Sequence, residues 1–329
     1  MRRRARLGLV LLVAIGMLTA GCGAASGGGR RLTLVAYSTP REAYEALIPA
    51  FHKTEAGKGV TFSRSFGSSG DQSRAVANGL AADVVALSLA PDMDRLVDAG
   101  LVARDWDAGQ YKGMVTDSVV VLVTREGNPK QIRTWDDLVS PGVEVITPNP
   151  FSSGGARWNV MAAYGAQIEQ GRTHEQAVDY LQRLFQNVPV QDKSAREAIQ
   201  TFVGGKGDVM IAYENEAINA QQKHQAIDYV IPDQTILIEN PIAVATKSRN
   251  QEAARAFVDF ARSPAGQEIF AKKGYRPVNQ RVTADFPKPS GLFTIRDVGG
   301  WDEVTKRFFD KKTGILVEIE RKVGVSVGS

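Results

Sequence analysis

The chain has 329 residues, 43% hydrophobic and 23% charged, with ordinary glycine (32) and proline (14) contents, so it is neither disordered nor collagen-like. The formal charge of +4 is carried by the leader: Arg2, Arg3, Arg4 and Arg6 stand in a first stretch without a single acid, and removing those four of the 40 basic residues leaves 36, equal to the 36 acidic ones. A formally neutral body has no net charge with which to hold a polyanion at physiological salt, which excludes a nucleic-acid partner.

Met1 to Arg6 reads as a positive n-region, Leu7 to Leu18 as a short apolar run, and Thr19-Ala20-Gly21-Cys22 follows. About a dozen apolar residues are too few for a span, which needs about 20, so residues 1–21 are expected to be a signal peptide. Small residues before the only cysteine resemble the lipobox of bacterial lipoproteins, with Thr19 where leucine is usual. That resemblance implies lipid attachment at Cys22 and an exported protein on the outer face of the cell membrane. With Cys22 used in this way, the body has no disulfide and no thiol nucleophile. Residues 22–31, rich in Gly and Ser, are expected to be a flexible tether.

Beyond the tether, Leu32–Tyr37, Asp83–Leu89, Ser118–Val123, Val143–Thr147 and Asp208–Tyr213 read as buried strands. Amphipathic stretches alternate with them: Tyr44, Leu47, Ile48 and Phe51 share one helical face, as do Trp158, Met161, Ala162 and Gly165. Further helices are expected over Ala253–Ala261 and Gln267–Lys273. The alternation predicts an α/β protein, with mostly parallel sheets flanked by helices. Extended segments near Asp117–Arg125 and Thr235–Thr246 are the candidate crossovers. If both cross, residues 118–239 form one lobe (lobe II), and 32–117 with 240–329 form the other (lobe I).

Small polar residues precede a helix in three places. Ser38-Thr39-Pro40-Arg41-Glu42 is expected to make a capping box, with Thr39 as N-cap and Glu42 at the third helical position. Gly67-Ser68-Ser69-Gly70-Asp71 leads into a helix around Ala75–Leu80, and Ser152-Ser153-Gly154-Gly155-Ala156 opens the helix that carries Trp158. Helix starts expose backbone N–H groups and the positive end of the peptide dipole, so several in one cleft can hold an anion. The same residues serve ordinary caps and turns, so only their convergence is informative. There is no Gly-x-Ser-x-Gly elbow, His52, His174 and His224 stand apart in polar helical contexts, and no metal-ligand spacing occurs. No cofactor or metal is indicated.

Ala81-Ala82-Asp83-Val84-Val85-Ala86-Leu87, Val145-Ile146-Thr147-Pro148-Asn149-Pro150 and the following Ser152-Ser153-Gly154-Gly155-Ala156-Arg157-Trp158-Asn159 resemble segments of a known family, as do Gly207-Asp208-Val209, the stretch from Ala212 to Ala217, and Tyr275-Arg276-Pro277. The family is the sulfate-binding (sulfate/thiosulfate) solute-binding proteins of bacterial ABC import systems, which are type II periplasmic binding proteins, and the resemblance runs from about Leu32 to Trp301. It implies two α/β lobes joined by crossing strands, a ligand cleft between them, and a non-catalytic monomer that delivers its anion to an ABC permease.

In that family the dianion is held by neutral donors. Carried over, Ser69 would give its hydroxyl and N–H, Ser153 its hydroxyl, Gly154, Gly155 and Ala195 their N–H groups, and Ser38 an N–H where the family has aspartate. Tyr213 stands where the family has a tryptophan whose indole N–H meets the anion, and Arg157 would tie down the loop from behind. Asp71 replaces a usual lysine; facing the cleft, it would disfavour sulfate and accept a phosphate proton. Thiosulfate or another tetrahedral oxyanion such as phosphate is the alternative ligand. Readings from other classes are an exported serine hydrolase using Ser69 or Ser153, which lacks a nearby histidine, and a ligand-blind sensor lipoprotein.

Overall fold

The computed structural model describes residues 30–324; Cys22 and the expected leader and anchor lie outside them. The chain enters as β1 (Arg31–Tyr37), followed by α1 (Arg41–Phe51), β2 (Thr61–Gly67), α2 (Ser69–Ala77), β3 (Val84–Ala86) and α3 (Ala90–Asp98). β1 pairs in parallel with β2 on one side and β3 on the other. This is the sheet of lobe I. Because strand side chains alternate in direction, Leu32, Leu34 and Ala36 enter a core with Tyr44, Leu47 and Phe51. Val35 enters a second core with Val85, Met93 and Leu96. Burial on both faces is what made β1 read as a continuous apolar run.

The long β4 (Met114–Arg125) then leaves lobe I. Its second half pairs antiparallel with β6 (Val209–Tyr213), and β5 (Val145–Ile146) lies parallel to β6. Around this second sheet pack α4 (Gly154–Glu169), α5 (His174–Gln186), α6 (Ala195–Val203) and α7 (Glu214–Gln222). The alternation repeats: Val120 and Leu122 point into the core with Trp158, Met161 and Leu181, while Val119, Val121 and Val123 point into the one with Ile199, Phe202 and Met210. After β7 (Ile227–Val230), which also pairs with β4, β8 (Gln234–Val244) runs back. It pairs antiparallel with the first half of β4 and then, through Ile242–Val244, with β3. β4 and β8 are thus the strands that tie the two lobes into one path, β2-β1-β3-β8-β4-β6-β5.

Lobe I is completed by α8 (Gln251–Arg262) and α9 (Pro264–Lys272), whose Phe257 and Phe270 join the α1 core. β9 (Arg276–Pro277) pairs with β4 at the crossing. The final segment departs from the expected division, in which 240–329 belongs to lobe I. β10 (Gly291–Phe293) lies beside Gln234–Ile236, and Phe293, Val304, Phe308, Leu316 and Ile319 pack into the core of α4 and α5. They come from β10, α10 (Gly300–Phe309) and α11 (Ile315–Lys322). Gly165 leaves room for this return, since a Cβ there would lie 2.3 Å from the Phe293 ring. No helix among the described residues is long and apolar enough to cross a membrane.

Candidate functional site

The strands β1, β3 and β6 run out at Ser38, Ser88 and Tyr213, at the carboxyl edges where α/β sheets place ligands. Helices begin immediately beyond. The first differs from the expected capping box: α1 starts at Arg41 with Pro40 as its N-cap residue and no side-chain cap. Glu42 does not fold back because Arg196 holds both of its carboxylate oxygens, at 2.5 and 2.6 Å, with Lys223 also bound. A bidentate charge-assisted pair outweighs a single cap bond. Thr39 is left buried, its hydroxyl 3.4 Å from the Tyr275 hydroxyl.

The second helix begins earlier than expected, at Ser69. The third begins at Gly154 with Ser153 as N-cap, and the Ser153 oxygen accepts the Ala156 N–H at 3.3 Å. That bond uses a lone pair and leaves the Ser153 proton free to be donated. Ala195 is the first residue of α6, capped by Ser194. The N–H groups of Ser69, Gly154, Gly155 and Ala195 therefore all lie in first helical turns, where the helix supplies no acceptor.

These starts meet. The Gly70 N–H donates to Ser152 O at 3.1 Å, joining the first turn of α2 to the loop before α4 across the lobes. A Cβ built on Gly154 would lie 2.9 Å from Ser88 Oγ. One on Gly155 would lie 3.4 Å from Ser153 Oγ, 3.5 Å from Ala195 Cβ and 3.6 Å from Tyr213 Cε1. Arg196, next to Ala195, donates to Thr39 O at 3.1 Å and so brings the α6 start against the Ser38 loop. Ser38, Ser69, Ser153, Gly154, Gly155, Ala195 and Tyr213 are all buried. The lobes are closed over them.

The donors differ from a simple set of free hydroxyls. Ser69 Oγ donates to Asp92 Oδ2 at 2.7 Å and accepts the Ser88 N–H at 2.9 Å, so its hydroxyl proton, expected to bind the anion, is already taken, and the donor that remains is its backbone N–H at the start of α2. Asp92 is buried and paired with Arg95 at 2.9 Å. Burial keeps the Tyr213 phenol far above its ordinary pKa, hence neutral and able to donate at any physiological pH. Arg157 sends its Nε to Pro150 O at 3.0 Å and lays its guanidinium over the Phe309 ring; it grips the loop before α4 from outside the cluster.

Asp71 takes no part in the cluster. Ser68 Oγ reaches it at 2.7 Å, Arg74 at 2.5 Å and Lys193, from the other lobe, at 3.1 Å. Burial alone would raise its pKa, but these partners hold the carboxyl below the usual range. Charge is instead concentrated at one rim. There Glu42 of lobe I meets Arg196 and Lys223 of lobe II, and Arg196 also reaches Glu216 at 3.3 Å. Although burial opposes it, the two cations bring Glu42 down to about 2. Behind this rim lies a cavity of about 390 Å³ between α6 and α7.

Ser88, Asp92 and the Glu42–Arg196 pair belong to no motif in the sequence. Ser88 is a lone polar residue closing an apolar run, and that was its only signal.

A family model described as bacterial extracellular solute-binding protein matches residues 32–276. The chain belongs to the bacterial extracellular solute-binding proteins. It is 44% identical to a sulfate-binding protein of Synechococcus elongatus, over 86% of this chain and 85% of that one. A sulfate-binding protein of Escherichia coli is 40% identical (85% and 90% covered), and a thiosulfate-binding protein of Pseudomonas aeruginosa 34% (91% and 95%). The solved sulfate-binding protein SubI from Mycobacterium tuberculosis superposes with a TM-score of 0.83 at 47% identity, covering 85% of this chain and all of that one. Among the described residues no group of His, Cys, Asp or Glu is placed to hold a metal ion.

Proposed function

We propose that the protein captures sulfate between its lobes and delivers it to an ABC permease, acting outside the cell as a monomer anchored by lipid at Cys22 and without a cofactor. The observation that carries this reading is the convergence of α2, α4 and α6, with Ser153 and Tyr213, on one buried spot. First-turn N–H groups and hydroxyls donate and, at a helix start, carry a partial positive charge. Sulfate is fully deprotonated near neutral pH and accepts at every oxygen, so it matches such a set. Hydrogen phosphate brings a proton that would stay unpaired, at about 1–3 kcal/mol. With Asp71 bound to Ser68, Arg74 and Lys193, that proton finds no acceptor there.

Affinity needs no countercharge. Hydrogen bonds to a charged group contribute about 1.5–3 kcal/mol each, against about 8 kcal/mol for micromolar binding. Donors from Ser38, Ser69, Ser153, Gly154, Gly155, Ala195 and Tyr213 exceed that before closure is charged against them. Binding is favoured over hydrolysis because Ser69 Oγ is committed to a buried, arginine-paired carboxylate and Ser153 Oγ caps a helix. The 34% identity to a thiosulfate-binding protein keeps thiosulfate as the second ligand. Calorimetric titration of the purified protein at pH 6 and pH 8 tests the reading: sulfate should bind at low micromolar Kd or tighter at both, with phosphate silent. Heat from phosphate alone, or from no oxyanion, overturns it.

A further inference from the structure

Tyr213 enters the site with a flexible phenolic O–H where a rigid donor would be expected, and a neighbouring group must decide where that proton points. Among the described residues the hydroxyl bonded to it is that of Ser88, at 2.7 Å, and the Asn240 side chain, which has no O–H, also lies against the phenol. Ser88 is itself immobilised at every backbone polar atom. Its N–H donates to Ser69 Oγ at 2.9 Å, and its carbonyl accepts Trp158 Nε1 at 2.8 Å and Asn240 Nδ2 at 3.0 Å. It is fully buried, and Tyr213 is 1% exposed.

Two hydroxyls hold two protons and share one hydrogen bond, so one proton is left over. Phenol is the stronger acid and the better donor to an anion. The favourable order is therefore serine O–H to tyrosine oxygen, and tyrosine O–H to the ligand, each bond polarising the next. The Tyr213 ring edge, 3.6 Å from where Gly155 would carry a Cβ, is already among the N–H donors of α4. Resting on the anion-binding reading above, we infer that Ser88 is a positioning residue: its hydroxyl donates to Tyr213 and turns the phenolic O–H toward the bound oxyanion. The same residue steadies Ser69 through its N–H, so one serine at the end of β3 sets donors on both lobes.

A double-mutant cycle on the full chain, titrated with sulfate, tests this. Tyr213→Phe should weaken binding about tenfold or more, and Ser88→Ala about three- to tenfold. The double variant should bind no more weakly than Tyr213→Phe alone, because Ser88 has nothing left to position. Losses that multiply would overturn the inference, since Ser88 would then act independently of Tyr213. Should Ser88→Ala fail to fold, the wild-type protein decides by NMR of Cζ-labelled tyrosine. The resonance missing from Tyr213→Phe should shift when sulfate is added, and a resonance that stays put overturns the inference. No binding of sulfate, thiosulfate or phosphate by the wild type would instead remove the anion-binding reading, and this inference with it.

Discussion

Gly154→Ala places a single methyl group between the lobes. The new Cβ would lie 2.1 Å from Leu89 Cδ2, 2.8 Å from Ser88 Cβ and 2.9 Å from Ser88 Oγ. Leu89 is fully buried and Ser88 is pinned by its three backbone hydrogen bonds, so relief requires α4 to move back from β3. Overpacking of this kind costs about 1–3 kcal/mol; the roughly 0.5–1 kcal/mol that alanine gains over glycine in a helix is present with and without ligand and cancels from the affinity. The cost corresponds to about a 5- to 150-fold weaker Kd. Because Gly154 opens a lobe II helix and Ser88 ends a lobe I strand, the strain belongs to the closed arrangement. Sulfate titration should therefore show the loss, while thermal unfolding without ligand changes by no more than roughly 2–4 °C. Gly155→Ala is the internal comparison: its Cβ meets only ordinary contacts at 3.4–3.6 Å, so it should abolish binding by filling the anion's space, again without a fall in melting temperature. Wild-type affinity in Gly154→Ala would refute the packing argument.

Glu42→Gln removes the carboxylate that joins α1 to Arg196 and Lys223 across the cleft, and should speed ligand release about 5- to 30-fold, as for a partly buried charged hydrogen bond; stopped-flow dissociation reads this. Glu42 titrates at about 2, below its ordinary value, so the latch is intact above about pH 4.5 and is lost only as the pH falls through about 2; release from the wild type should be flat between pH 5 and 8. Asp71→Asn breaks only partly exposed pairs with Arg74 and Lys193 and should change the sulfate Kd less than about fivefold; a gain in sulfate affinity together with a loss of phosphate binding would mean that Asp71 faces the ligand. Asp117 lies opposite Glu239 on the crossing strands, with Arg276 of β9 also beside it, and burial followed by Glu239 raises it to about 7 against Arg276. Raised in the folded state, it costs nothing below about pH 4 and progressively more as the pH climbs toward 7. Asp117→Asn should accordingly raise the melting temperature at pH 8 and raise it less at pH 5.

The fold was legible wherever burial is two-sided. β1, β4 and β6 stand out as apolar runs because both faces of each sheet are covered. β2 did not, because Thr61–Gly67 is an edge strand with no fully buried residue and a polar sequence. The return of Phe293–Ile319 into lobe II depends on a space left by Gly165, which local patterning does not reveal. In the site, Ser153 could be placed from its position before a helix, since a cap is a local device. Convergence could not: the Gly70–Ser152 bond and the Ser88–Tyr213 bond join residues far apart in the chain. Glu42 misled for a related reason. Its spacing from Thr39 fits a capping box, but distant Arg196 and Lys223 compete for the same carboxylate and win on charge.

On the proposed reading the anion sits among neutral donors and not beside Arg196 and Lys223, the cations at the rim. The most direct measurement is a crystal structure with selenate, located by its anomalous signal. One tetrahedral ion should lie between the lobes, with oxygens about 2.7–3.2 Å from Ser153 Oγ, Tyr213 Oη and the N–H groups of Gly154, Gly155 and Ala195, and with no charged side chain in contact. Selenate held instead by Arg196 and Lys223, in the cavity between α6 and α7, would contradict it.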